Sequence, residues 1–487
     1  MGKCKHSTVC GLEDASQPDD YLCILHSNDP DKNRHAFETA LNVHRQTKKR
    51  TTNFSHMVFP YEIDFTATRF SERADFEYAQ FTQGVRFDKA VFVTGASFAR
   101  CEFLGDTSFM ETMLAETAWF NKTHFKGEAN FWGAKFSRAN FSGAKFEKNS
   151  DFGSTTFSDN ALFHLTEFRG EAHFTDATFN GSVVFSDMIF SESTLFTLTR
   201  FEAPVMFSSV IFKGLADFEG CVFTKDGEFR ETDFFDVANF RDSKFFGSIS
   251  FTATGASPVF HGAATFEYAS CSSGDSLRLI GTDLRRCKFL GAEVRKFYFI
   301  GVNWPRIGRF GGRHGVFDEI APNDTGDQRR WALIEDLYRQ LKQNYEDRRD
   351  YERAGGFHIG EKEMRLRNPR TPLGLRFLLA IYKGISGYGE KCGRPVFWLL
   401  VLLLMTSSAA VIYELTLEIG RSRLALSPQK LGDWGWAILY GIETMVHLPA
   451  KGFAASGYGR VISTFASILG PVLIALFGFA LRQRLKR

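Results

Sequence analysis

The chain lacks the sequence signals that announce an enzyme. It has no Gly-rich phosphate loop, and no nucleophile, base and orienting group can be grouped along it. Cysteine is sparse, with eight among 487 residues, and the polar start MGKCKHSTVCGLED carries no secretory signal. Both features argue against a disulfide framework and lead us to expect a reducing, cytoplasmic setting for the N-terminal bulk. A third absence concerns the 53 Phe residues. Through most of the chain they follow neither the three-and-four spacing of an amphipathic helix nor the two-residue alternation of a strand.

They follow instead a step of five or six. From Phe54 the register runs through Phe59, Phe65, Phe70, Phe76 and onward to Phe251, with 36 Phe and Leu114 at its 37 positions. Steps of five and six alternate, except in GEANFWGAKFSRANFSGAKF, where Phe131, Phe136, Phe141 and Phe146 are five apart. A small residue stands two places before most rings. A chain that turns a corner about every five residues satisfies this pattern, because the ring and the small residue both point inward. Four sides close a coil, and coils stacked about 4.8 Å apart make some nine turns and roughly 45 Å of rod. Cys101, Cys221 and Cys287 occupy the small position and read as core fillers. Residues 54 to 251 hold 28 acidic and 18 basic residues, a net charge of −10, which leaves about +13 for the rest of the chain.

The pattern resembles the pentapeptide-repeat family, whose motif is a small residue, a polar residue, Leu or Phe, and two mostly polar residues. The resemblance implies a mainly β fold, a right-handed quadrilateral β-helix. The six-residue steps depart from the family motif and predict a bulge on alternate sides. Beyond Phe251 the register loosens through Phe260, Phe266, Cys271, Leu277, Leu284, Phe289, Val294 and Phe299. We expect this stretch to be an irregular end that closes a solenoid over residues 54–304.

Before the solenoid, Cys4, His6, Cys10, Cys23 and His26 fall within 23 residues. Cys4, Cys10, Cys23 and His26 would complete a tetrahedral structural zinc site, and His6 can replace either early cysteine. This defines an expected zinc knuckle at 1–28. A capping helix follows within 29–53, started near Asp29 or Asp31 with Phe37 and Leu41 on one side, to cover the first coil's open edge. After the solenoid, Leu333, Leu337, Leu341 and Tyr345, then Tyr351, Ala354 and Phe357, predict an antiparallel helical hairpin as a linker over 305–368.

Residues 369–487 read as a membrane domain. Residues 395–413 and 461–481 contain no charged residue over 19 and 21 positions, long enough to cross a hydrocarbon core of about 30 Å. Lys383, Lys391 and Arg394 precede the first; Arg482, Arg484, Lys486 and Arg487 follow the second. The positive-inside rule then places both termini in the cytoplasm. Between the spans, residues 434–449 form a shorter apolar stretch, expected to be a re-entrant or interfacial helix.

From Leu439 onward this plan resembles the pore helix, filter and inner helix of bacterial potassium-channel-like domains, some of which are fused to pentapeptide repeats. The resemblance implies a bacterial inner membrane and a homo-oligomer assembled through this domain. The family's filter, Thr-x-Gly-Tyr-Gly-Asp, falls on His447 to Gly452, which here reads HLPAKG. Potassium selectivity depends on a ring of backbone carbonyls from that loop, so the filter is degenerate. The GYG at 457–459 lies eight residues too late. Glu443, His447, Pro449, Ala450 and Lys451 are the pore or filter-equivalent positions, and Glu443 and His447 share a helical spacing of four.

Three functions are compatible with these features. The first is a membrane-anchored scaffold or sensor offering its β-helix faces to a protein partner. The second is an oligomeric pore of non-potassium selectivity, gated by the rod. The third is an acidic DNA mimic of the kind some pentapeptide proteins use against topoisomerases; a membrane tether opposes it and makes nucleic acid an unlikely partner. No enzymatic activity is expected.

Overall fold

Phe54 and Phe76 lie face to face with ring centroids 4.6 Å apart, and the contact repeats with each coil to Phe229 and Phe251 at 4.4 Å. The computed structural model describes residues 5–6, 22–29, 31–47, 52–253, 259–308, 312–322, 329–412, 416–419, 422–426, 430–447, 453–454 and 457–485. The chain divides into two compact units, Met1–Pro305 with Val316–Pro322, and Arg306–Gly315 with Asn323–Arg487.

The first unit is a β-solenoid of about 11 turns over residues 52–300. Four ladders of side chains fill it, begun by Phe54, Phe59, Phe65 and Phe70, and the faces are numbered one to four in that order. On face three, eleven parallel strands stack from Ile63–Asp64 to Cys287–Lys288. Rings within a ladder are parallel, as at Phe70 and Phe92. Rings of different ladders meet edge to face, as at Phe98 and Phe109, 5.1 Å and 83° apart, an arrangement worth about 0.5–1.5 kcal/mol per pair beyond area burial.

The corners explain the alternating step. After faces one and three the chain makes a tight turn, with Met57 N donating to Phe54 O and Thr68 N to Phe65 O. The third residue of each turn has positive φ, as at His56, Ala67, Tyr78 and Lys89, the requirement of a type II turn. Non-glycine residues are strained there. Inter-coil bonds hold them, such as His56 N to Glu77 O at 2.9 Å. The other two corners take the six-residue step. Where the five-residue run Phe136 to Phe141 stacks on the six-residue side Leu114 to Phe120, the pairing shifts between Leu114 and Thr117. The extra residue is accommodated there as a bulge.

The small position admits a hydroxyl or thiol wherever a carbonyl lies behind it. Thr112 donates to Phe87 O, Thr123 to Phe98 O and Ser243 to Phe218 O. Cys101 and Cys221 donate in the same way to Phe76 O and Phe196 O. Both cysteines are buried, and burial raises their thiols well above the ordinary range, which removes the reactive thiolate.

Two expectations need correction. The stretch after Phe251 is not an irregular end, because it continues to coil. Within it the ring position is Leu279, which pairs with Phe251 and Phe299, while Leu277 takes the small position. The capping helix α1 spans Arg34–Thr47 and starts at Asn33, whose Oδ1 accepts from Ala36 N, not at Asp29 or Asp31.

The short helix α2 (Phe317–Ile320) belongs to the solenoid unit. In the second unit, α3 (Arg330–Asp347) and α4 (Tyr351–Arg367) form a hairpin. Its buried face runs through Ile334, Leu337, Tyr338, Leu341 and Tyr345, with Leu333 only half-buried. Gly360 permits the close approach, since a Cβ there would meet the Tyr338 ring at 2.7 Å. Helices α5 (Leu373–Ser386), α6 (Gly393–Ile412), α7 (Leu431–Val446) and α8 (Gly457–Leu485) follow. Among the described residues, Thr416–Ile419 pairs antiparallel with both Ser422–Ala425 and Phe453–Ala454.

Candidate functional site

Each end of a solenoid exposes backbone groups that invite another strand. At the N-terminal end, Val58 N donates to Leu25 O at 2.9 Å. Lys32 Nζ donates to Val58 O, Ser27 O and Ile24 O at 2.8, 2.8 and 2.9 Å. His26 Nε2 pairs with Ser55 O and His44 Nε2 with Asn53 O, while the buried Phe37 of α1 meets Phe59 edge to face. Burial pulls the Lys32 ammonium down to about 8. At the other end, the Asp318 carboxylate of α2 accepts from Phe289 N and Leu290 N at 3.1 and 2.9 Å. Trp304 closes over Phe289 and Phe299. Burial pushes Asp318 up to about 6, against the hydrogen bond from Phe289.

Of the four expected zinc ligands, the structure brings Cys23 and His26 together, with Sγ and Nδ1 3.1 Å apart and both residues buried. The contact of His26 Nε2 with Ser55 O orients the ring so that Nδ1 faces the sulfur, the arrangement of a metal-binding imidazole. Burial and the nearby His6 lower His26 to about 4, so the ring is neutral, as a ligand must be. His6 lies against it at 4.9 Å. Cys4 and Cys10 lie outside the described residues, and among the described residues no three His, Cys, Asp or Glu form a metal-holding group.

The four solenoid faces differ. Face two is laced by charges, with Glu147 bound to His124 and Arg169, and Glu167 to Lys145 and Arg169, at 2.8–3.2 Å. Such exposed pairs add little stability. Face one is different over five successive coils, where the outward positions from Trp119 to Ser208 carry no Asp, Glu, Lys or Arg. There Leu162, Val184 and Met206 stand in register, and Trp119, Leu162 and Met206 are 38, 38 and 43 % exposed.

In the second unit, two carboxylates, Glu361 buried and Glu363 half-buried, are fixed by cations. Glu363 takes Arg313 at 3.0 Å and Lys383 at 2.9 Å. Glu361 takes Lys342 and Lys362 at 3.1 and 3.2 Å. Burial works to raise both; the hydrogen bonds from Lys383 and Arg313 overcome it at Glu363, and those from His358 and Lys342 hold Glu361 well below the usual range. Ionised and fully engaged, they brace the hairpin and the last turn of α5 and are not poised for proton transfer.

Helices α6 and α8 are each long and apolar enough to cross a membrane. Helix α7 is 16 residues long, ends at residue 446 rather than 449, and packs on both neighbours through small residues. A Cβ at Gly441 would meet Thr406 Oγ1 at 2.8 Å, and one at Gly470 would meet the Met445 backbone at 2.7 Å. Gly478 of α8, by contrast, faces open space. Glu443 sits on α7 with a buried Oε2 that has no hydrogen-bond partner among the described residues. His447 is the left-handed C-cap of α7, at φ 60°, and its backbone N–H donates to Glu443 O. Pro449, Ala450 and Lys451 lie outside the described residues. The GYG tripeptide at 457–459 opens α8 as helix.

A family model described as pentapeptide repeats matches residues 54–102, 93–135 and 141–189, in nine copies. Over these residues the solenoid is built of pentapeptide repeats. No curated protein and no solved structure matches the chain. The solenoid continues beyond the matched residues to 300, and the helices of the second unit lie outside the match.

Sequence reasoning missed two features of this chain. Lys32 and Asp318 became end caps only through contacts with Val58 and Phe289, 26 and 29 residues away. Helix α5 escaped notice because its apolar stripe is shorter than a span; leucine and phenylalanine at spacings of four and five between Leu373 and Ile381 were the available signal.

Proposed function

We propose that the chain is a membrane-anchored scaffold, with α6 and α8 crossing a bacterial inner membrane, both termini cytoplasmic, and the pentapeptide rod presented to a protein partner. The observation that carries this is the uncharged strip on face one. A rigid Phe core holds Trp119, Leu162, Val184 and Met206 in fixed register, so a partner meets a preorganised apolar surface and the rod loses little entropy on binding. The membrane helices, packed through Gly441 and Gly470, also provide apolar outer surface for a homo-oligomer.

A photo-cross-linking side chain placed at Leu162 or Met206, and separately at Asn239 on face three, tests this in native membranes. The same discrete adduct from both face-one positions and none from Asn239 supports the scaffold. Adducts from all three positions, or from none, contradict it. Ion flux in proteoliposomes whose preference changes with Lys451→Glu would instead establish the pore.

The N-terminal segment is proposed to bind structural zinc through Cys23 and His26, joined by Cys4 and Cys10. The bound metal would tie this segment to the first coil through the His26 contact with Ser55. Equimolar zinc in purified protein, lost in Cys23→Ala, is the expected result. A metal-free protein with an intact first coil would rule it out.

A further inference from the structure

Helix α5 exposes an apolar stripe that nothing among the described residues covers. Leu373, Phe377, Leu378 and Ile381 are 79, 70, 62 and 44 % exposed, and their spacing of four, five and eight residues from Leu373 places them along one side of the helix. The opposite side is held by protein. Leu379 is buried, Lys383 pairs with Glu363 of α4 at 2.9 Å, and Arg376 Nε donates to Leu366 O at 3.2 Å. The orientation of the stripe is therefore fixed by α4.

We propose that α5 lies in the plane of the membrane, with this stripe in the boundary between headgroups and acyl chains of the leaflet that α6 enters. The placement rests on the membrane reading above. Two observations select lipid over a protein partner. First, the stripe is continuous with the spanning surface. Gly387 ends α5 in the left-handed conformation, Arg394 donates to Lys383 O, and Trp398 Nε1 donates to Gly384 O, so the end of α5 is bound to the first turns of α6. Second, the segment from Arg365 to Arg394 carries seven basic residues and one acidic residue. An amphipathic helix flanked by such charge binds an anionic membrane surface by apolar burial and by attraction to the headgroups. At 14 residues α5 is too short to span.

The test uses nitroxide labels on the full-length protein, in a Cys392→Ser background, reconstituted in vesicles of phosphatidylethanolamine and phosphatidylglycerol. Labels at Phe377→Cys, at Met405→Cys on α6 and at the exposed Glu352→Cys on α4 are compared for collision with oxygen and with a water-soluble nickel chelate. The ratio of oxygen to nickel collision at 377 is expected to match that at 405 and to exceed that at 352 several-fold. A ratio at 377 equal to that at 352, with 405 still protected from nickel, overturns the proposal and leaves the membrane reading intact. Low collision with both reagents at 377 means a protein covers the stripe and also overturns it. Nickel access at 405 means α6 is not inserted, and the membrane reading itself fails.

Discussion

The two ends of the rod solve one problem with opposite charges. At the first coil the free groups include carbonyl oxygens, and a buried ammonium, Lys32, meets Val58 O there and ties it to Ile24 O and Ser27 O of the preceding segment. At the last coil the free groups include amide N–H groups, and a buried carboxylate, Asp318, accepts two of them. Each cap also brings one large ring, Phe37 or Trp304, onto the end of the phenylalanine stack. The middle of the rod needs neither device, because every coil is capped by its neighbours. The difference shows that closure of a solenoid is a local polar problem, chosen by which backbone groups the last coil leaves open, while its length is set by the repeat alone.

The middle sets the scale for this comparison. Phe136→Ala removes a buried ring stacked on Phe157 and is expected to cost about 3–5 kcal/mol, whereas Lys135→Ala, exposed on the same strand, should change stability by less than about 0.5 kcal/mol. Chemical denaturation of both variants checks this, and equal losses would break the register.

The ends then separate by pH. The Asp318 carboxyl, raised from 3.8 to about 6, adds stability that is fully present below pH 3.8 and is lost as pH rises through 6, a change of about 3 kcal/mol. Lys32, lowered from 10.5 to about 8, acts oppositely in sign and window: the unfolded chain binds more protons between pH 8 and 10.5, so stability rises with pH there. Stability profiles of wild type, Asp318→Asn and Lys32→Met should show the acid-side slope vanish in the first variant alone and the alkaline slope in the second alone.

At a smaller scale, Lys32→Met leaves three carbonyls without their donor and should destabilise the first coil by about 1–3 kcal/mol. The freed edge then pairs between molecules, so light scattering should report end-to-end association in this variant and not in wild type. The smallest effect belongs to the interior. Thr123→Val removes the bond to Phe98 O and should cost about 1 kcal/mol, measured by thermal unfolding.

Much of this was legible because one rule was repeated. Phe at 36 of 37 positions and Leu at the other predict a four-sided coil, and the structure has it. The slip at Leu277 has a simple origin: in Leu277–Ile280 the residues Leu277 and Leu279 both point inward on one strand, so leucine at either can be counted as the ring position. The turn chemistry was less visible, since the positive-φ corner is occupied by His, Ala, Tyr and Lys in the first coils and by glycine only at a few later corners, such as Gly133, Gly143 and Gly220. The caps were invisible because a lysine or an aspartate in a polar segment carries no sign of the carbonyl or amide it will meet. At the C-terminal end, sequence hydropathy located the two long apolar helices α6 and α8, while the left-handed C-cap at His447 carries no glycine to announce it.

The most direct measurement of the closure principle is amide hydrogen exchange on the full-length protein in detergent, comparing wild type with Lys32→Met and with Asp318→Asn. Protection should fall only in the coil around Val58 for the first and only around Phe289 and Leu290 for the second, with the coils between Phe98 and Phe218 unchanged in both. A loss of protection that spreads evenly along the rod, or none at either end, would contradict the assignment of these two residues as its caps.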